Sequence, residues 1–178
     1  NKVNMSIVAT MFAFITFGIS VACGGNVPDV GVTRGEVLEI QVESPVLVEK
    51  IVWSDMAGQH RVIKAKATNR RLALVKVSVV NRKSTIVPLL IDTQDAEIGD
   101  RDGNRVYSLN PFKDAQVQEK ADPQENRYTP FLMGLDGLEV ELKRDFMVSG
   151  WMVFEVPLGL NLGTFWWKEV ESLSVDFR

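Results

Sequence analysis

The chain has 178 residues, 46% of them hydrophobic and 24% charged, with a formal net charge of −3. The acidic balance, with no Lys/Arg run longer than Arg70-Arg71, argues against nucleic-acid binding. The single cysteine, Cys23, excludes an intrachain disulfide, and the single histidine, His60, leaves too few ligands for a zinc or copper site, so neither metal nor cofactor is expected.

Lys2 is the only charged residue before Asp29, and Val3 to Cys23 is an apolar stretch of the length that crosses a bilayer, ~20 residues. It is apolar on all sides, and a small β domain has nowhere to bury such a helix. Two main readings follow. The stretch is an export signal, with a basic start, an apolar core and small residues at its end, or it is a retained single-pass helix. Ile19-Ser20-Val21-Ala22-Cys23 resembles the lipobox of bacterial lipoproteins, with Ser20 where that family most often has Leu. The resemblance implies cleavage before Cys23 and a diacylglycerol on its thiol. A hydrophobic helix behind a non-Met start, followed by a β-rich head, is also how pilin-like filament subunits are built. Residues 24–35, rich in Gly near their start and carrying Pro28, are expected to form a linker.

From Glu36 onward the hydrophobic period is two. Leu38, Ile40 and Val42 share one face, with Glu39 and Gln41 opposite. Pro45–Trp53 is predicted as one longer apolar strand, Ser54–Gln59 as a turn, and Arg61–Ala67 as the next strand. Leu72–Val80 is the strongest strand. Ala73, Val75, Val77 and Val79 form an unbroken apolar face, while Leu72, Leu74 and Val80 on the other face mark it as partly covered. Asn81–Ser84 turns, and Pro88 marks Thr85–Ile91 as an edge or a bulge. Ala96–Leu109 is a hairpin around Asp100-Arg101-Asp102-Gly103-Asn104. That oxygen-rich turn has the spacing of a calcium loop but lacks the glutamate that would close one. Pro111–Pro130 is polar and too long for a plain connection, so it is a functional loop or holds a short helix near Asp114–Lys120. Gly137–Leu142, Phe146–Val156, Thr164–Lys168 and Leu173–Phe177 complete the strands. Short strands with turn signals every 8–12 residues, roughly, describe an all-β sandwich over residues 36–178, preceded by one N-terminal hydrophobic helix over residues 1–23.

Three stretches together carry a family resemblance: Leu74-Val75-Lys76-Val77-Ser78-Val79-Val80-Asn81, the hairpin from Asp100 to Tyr107, and Val148 to Pro157. Their order is similar to the telokin-like bacterial extracytoplasmic domains, a family of unknown function. The resemblance covers about Glu36–Phe177. It implies an immunoglobulin-like two-sheet antiparallel sandwich behind an export signal or lipobox, and it supplies no catalytic residues.

No constellation of residues points to catalysis. His60 sits in an expected turn with no Gly-x-Ser-x-Gly elbow, Glu139 and Glu141 lie on a solvated strand face, and no glycine-rich loop precedes a helix. Met56 and His60, four apart, are too few for copper. Phe165-Trp166-Trp167 is the better lead. Along a strand Phe165 and Trp167 point one way and Trp166 the other, so at least one large aromatic is left for a partner. The expectation is a non-catalytic, membrane-anchored extracytoplasmic domain. It is held through residues 3–23 or an acylated Cys23, and it binds a protein partner through Phe165, Trp166 and Trp167, with no small-molecule substrate. The alternative is a structural subunit of a larger assembly, held by a retained helix.

Overall fold

A computed structural model of the chain describes residues 29–133 and 139–177. The expected N-terminal helix, Cys23 and the first part of the expected linker lie outside the described residues, as does the start of the expected strand Gly137–Leu142. Fourteen strands follow in order: β1 (Val30–Arg34), β2 (Leu38–Glu43), β3 (Val46–Val48), β4 (Lys50–Ser54), β5 (His60–Lys64), β6 (Arg70–Asn81), β7 (Ile86–Leu89), β8 (Ala96–Gly99), β9 (Arg105–Leu109), β10 (Gln116–Gln118), β11 (Val140–Lys143), β12 (Met147–Pro157), β13 (Thr164–Trp167) and β14 (Leu173–Asp176). A single turn of helix, α1 (Pro111–Asp114), precedes β10. The chain is all-β. A large sheet runs β1-β2-β6-β12-β9-β8-β13-β14 with β3 also on β6, and two smaller sheets, β10-β5-β4 and β11-β7, complete the architecture. The large sheet curls so that its two ends approach, with Thr33 Oγ1 of β1 donating to the Ser174 carbonyl of β14 at 2.6 Å.

The centre is the antiparallel pair β6–β12, in register from Met147 opposite Val80 to Pro157 opposite Arg70. Alternation sends Ala73, Val75, Val77 and Val79 of β6, and Met152, Phe154 and Val156 of β12, into the main core. They meet Leu38 and Ile40 of β2, Leu89 of β7, Ile98 of β8, and Phe165 and Trp167 of β13. The opposite face is also buried along half its length. Leu72, Leu74 and Val153 form a second cluster with Ile51 and Trp53 of β4 and Ile63 of β5. Burying each such aliphatic side chain contributes roughly 1.5–3 kcal/mol, so the β10-β5-β4 sheet is held by apolar contact as a third layer.

Two expectations need correction. Pro45–Trp53 is two strands, because the chain changes sheets near Glu49: β3 pairs with β6, then β4 pairs with β5. Val30–Arg34 of the expected linker instead pairs with β2 as the first strand of the sheet. Its valines face out, with Val30 and Val32 exposed, so its apolar period carried no inward signal.

Glu39 of β2 fastens this edge from outside. Its carboxylate is buried and accepts from Arg34 Nε at 2.9 Å, Arg82 Nη2 at 2.8 Å and Gln41 Nε2 at 3.1 Å. The hydrogen bonds from Arg82, then Arg34 and Gln41, hold its carboxyl down to about 2, from an ordinary value of 4.5. A depressed carboxyl stabilises the fold at pH above 4.5 and loses that contribution as pH falls toward about 2. Glu39→Gln is therefore expected to be less stable than wild type at neutral pH, with the gap narrowing between those two pH values. Urea denaturation across that range checks this; a gap that does not change with pH would contradict it.

Candidate functional site

Two surface features have the chemistry of a binding site. The first is the outer face of β9, β8 and β13. Register places Tyr107, Glu97 and Trp166 in one row across the three strands. Phe165 and Trp167 face the other way and are fully buried, their environment set by Ile98 and Ala96 opposite them. Of the three aromatics expected to meet a partner, Phe165 and Trp167 are thus core residues, and Trp166 is the one that remains at the surface. The Arg105 guanidinium lies 3.8 Å from the centre of the Trp166 ring, and Lys168 Nζ lies 5.2 Å from that of Tyr107, which is 46% exposed. Glu97 sits buried between them, 2.8 Å from Lys168 and 3.4 Å from Arg105. Burial pushes its carboxyl up, but hydrogen bonds from Lys168, Tyr107 and Arg105 outweigh burial and leave it below the ordinary glutamate range. The buried anion therefore orders two cations and two rings on an exposed face.

The second feature is a cleft between the β4–β5 hairpin and the Pro111–Pro130 segment. The segment contains α1, earlier than the expected helix and one turn long. Asn110 caps it, Oδ1 accepting from Phe112 N at 3.0 Å and Lys113 N at 3.2 Å, with Pro111 in the first turn. This aims Phe112 toward Phe131, whose ring stands edge-on to it at 5.9 Å and edge-on to Trp53 at 5.0 Å. Phe131 is fixed by β12: Trp151 N donates to the Pro130 carbonyl at 2.9 Å, and Leu132 N to the Trp151 carbonyl at 3.0 Å. Gly150 permits this approach, because a Cβ there would lie 2.5 Å from Leu132 N. The cleft holds about 640 Å³ and is walled by Trp53, Phe112, Phe131 and Met133. Arg61, opposite Trp53 in the β4–β5 register, stands at the rim and donates Nε to Asp55 Oδ2 at 2.9 Å. The Gln59 backbone N–H, then Arg61, hold the Asp55 carboxyl below the ordinary aspartate range. None of the cleft residues was singled out as a binding residue by the sequence: its aromatics are isolated, without period or motif.

The other side of the hairpin is polar. His60 Nδ1 lies 2.6 Å from Glu125 Oε1, and Ser54 Oγ donates to Glu125 Oε2 at 3.0 Å. Both side chains thus spend their contacts on Glu125, which ties the Pro111–Pro130 segment to β4 and β5, as does the Lys50–Asp122 ion pair. In the Asp100–Asn104 turn, Asp100 accepts from the backbone of Asp102 and Asn104 and from the Asn104 side chain, so its carboxylate is occupied in closing the turn. Among the described residues no group of three or more His, Cys, Asp or Glu could hold a metal ion.

No family model matches the chain, and no curated protein matches it. Two solved structures are similar to it. One is a candidate lipoprotein of Bacillus subtilis (ycdA), with a TM-score of 0.47 and 13% identity over 82% of this chain and 38% of that chain. This chain thus spans well under half the length of that protein. The other is a secreted protein of Mycobacterium tuberculosis, MPT63, with a TM-score of 0.39 and 11% identity over 82% of this chain and 88% of that chain.

The two faces of β13 predict different costs. Phe165→Ala opens a cavity in the main core and is expected to cost about 3–5 kcal/mol. Trp166→Ala removes an outer ring and one cation–π contact and is expected to cost about 1 kcal/mol. Chemical denaturation measures both; equal losses would contradict the placement of the two rings.

Proposed function

We propose that the chain is a non-catalytic, membrane-anchored extracytoplasmic domain of immunoglobulin-like, telokin-like type, and that it binds a protein partner through the face centred on Trp166. The observation that carries this reading is the row Tyr107–Glu97–Trp166 with Arg105 and Lys168 stacked upon its rings. Trp, Tyr and Arg are the residues most enriched at the energetic centres of protein interfaces. Here they are held in place by a buried carboxylate, so little side-chain freedom remains to be lost on association. The anchor rests on the apolar Val3–Cys23 stretch. The non-catalytic reading is supported by His60 and Ser54, which meet Glu125 separately instead of forming a serine–histidine relay.

A photo-crosslinking amino acid at position 107, in the protein expressed in its native membrane, tests the face. A discrete crosslinked partner is expected, and Trp166→Ala should weaken its binding by about 30-fold, the scale of a hot-spot truncation. Absence of a discrete crosslink, or a crosslink indifferent to Trp166→Ala, would overturn the reading. The intact mass of the same preparation tests the anchor: a chain beginning at an acylated Cys23 is expected, and a mass that includes Asn1–Ala22 would replace the lipid anchor with a retained helix.

A further inference from the structure

We propose that the end of the domain built from the β5–β6 turn (residues 65–69), the start of β6 and the end of β12 docks on an anionic phospholipid surface. The inference rests on the membrane-anchored reading and not on the Trp166 face. The chain is acidic overall, yet no acidic residue falls between Asp55 and Asp92, and Lys64, Lys66, Arg70 and Arg71 lie close together in that stretch. The fold brings Lys50 to join them. Register sets Lys50 directly opposite Lys64, an arrangement of like charges that destabilises a strand pair. Lys50 pairs with Asp122, and Arg71 lies 3.4 Å from Glu49. Glu155 accepts from the Lys66 backbone N–H. Lys64, Lys66 and Arg70 form no ion pair among the described residues, so this end is positive in a chain of net charge −3. A groove of about 610 Å³, lined by Lys50, Lys64, Thr68 and Arg71, offers the donors that a phosphodiester accepts from. Beside it stands Leu158, 56% exposed, whose N–H donates to the Asn69 carbonyl at 2.8 Å. Cations around an exposed apolar side chain are the pattern of an interfacial contact.

Strand direction says which surface meets it. β1 is antiparallel to β2, and β2 to β6, so β1 runs parallel to β6. Followed back from Val30, the chain therefore heads toward the Arg70 end. Val30 lies opposite Glu43, whose carboxylate is 3.5 Å from Lys76. The six residues from Asp29 back to Cys23 span at most about 20 Å, which matches the rise of β6 from Lys76 down to Arg70. The short tether thus brings the Arg70 end nearest a bilayer that holds residues 3–23 or an acylated Cys23. Cations so placed lie within the screening length of an anionic surface and are drawn to it. The opposite end of the ladder also exposes apolar side chains, Phe146 and Met147, but Arg82 and Lys83 there are spent on Glu39 and Glu36.

The ¹⁵N-labelled full chain in lipid nanodiscs tests this. The discs are phosphatidylcholine alone, or phosphatidylcholine with about a third phosphatidylglycerol, each doped with a lipid whose headgroup chelates gadolinium. Amide broadening along the head is the readout. In the anionic discs the amides of Lys64, Lys66, Asn69 and Leu158 are expected to broaden about threefold more than in the neutral ones. Salt at about 1 M, where charges are screened within about 3 Å, should remove the difference. The double variant Lys64→Glu with Arg70→Glu should abolish it. Lys66→Glu, at an exposed turn position, should reduce it and serves if the double variant does not fold. Lys83→Ala, at the opposite end, should leave it unchanged. Equal broadening in both lipids, strongest broadening at Phe146 and Met147, or a difference that survives the glutamate variants overturns the proposal, as does an equal loss in Lys83→Ala. Retention on phosphatidylcholine discs reports the anchor separately. A chain that leaves them loses the anchor reading, and the anionic discs still decide the docking: salt-sensitive broadening at the same four amides upholds it, and its absence overturns it.

Discussion

The β6–β12 ladder is the constraint on which the rest of the structure depends. Its two strands are long, they run in uninterrupted register from Arg70 to Val80, and they bury apolar side chains on both faces. A strand pair in the middle of a sandwich normally commits one face to the core and leaves the other to its neighbours or to solvent. Here Leu72, Leu74 and Val153 make the second face as apolar as the first at one end, so that end must be covered. The chain covers it twice over: it switches sheets after β3 to lay the β4–β5 hairpin across it, and it brings the end of the Pro111–Pro130 segment against β12 at Trp151, just beyond the residues that pair with β9.

Both candidate sites follow from that arrangement. Covering the second face with a hairpin on one side and a looped segment on the other leaves a seam, and the cleft is that seam. It is rigid where it rests on β12, through Gly150 and the Trp151 backbone bonds, and it is bounded by aromatic rings because rings fill the wide gap between a sheet and a loop. The Trp166 face arises at the other end of the large sheet. There β13 places two aromatics in the main core, and the strict alternation of a strand leaves the third outside. What turns a half-buried tryptophan into an ordered surface is Glu97. A buried carboxylate is tolerable only with cations beside it, and the cations it draws in, Arg105 and Lys168, settle over the neighbouring rings.

Much of the main core was legible in the sequence because it obeys a period. Ala73 to Val79 and Leu38 to Val42 alternate, and their partners in space alternate with them. Leu72 and Leu74 even announced that something covers the back of β6. What covers it was not legible. Pro111–Pro130 is polar in composition because its outward surface is solvated and its fixing contacts are hydrogen bonds and ion pairs, such as Ser54 to Glu125 and Lys50 to Asp122. Phe112, just inside it, and Phe131, just beyond it, are single aromatics that no window of periodicity registers. The first strand carries no period for a related reason: its inward positions are Gly31 and Thr33, small residues that fit where β1 approaches β14, and its valines face out. The Phe165–Trp167 run was legible as a strand with faces. Which face is core depends on β8, whose Ile98 and Ala96 decide it.

The packing makes the third layer and the seam it creates one cooperative unit with the β6–β12 ladder. Native-state hydrogen exchange, followed residue by residue, tests it most directly. The amides of Trp151 and Leu132, which bond across to Pro130 and Trp151, should exchange only with the opening that releases the β6–β12 amides such as Val75 and Met152, and with the same free energy. Exchange of Leu132 and Trp151 orders of magnitude faster than the ladder would mean that the Pro111–Pro130 segment lifts away on its own, and the cleft would then not be a preformed part of the fold.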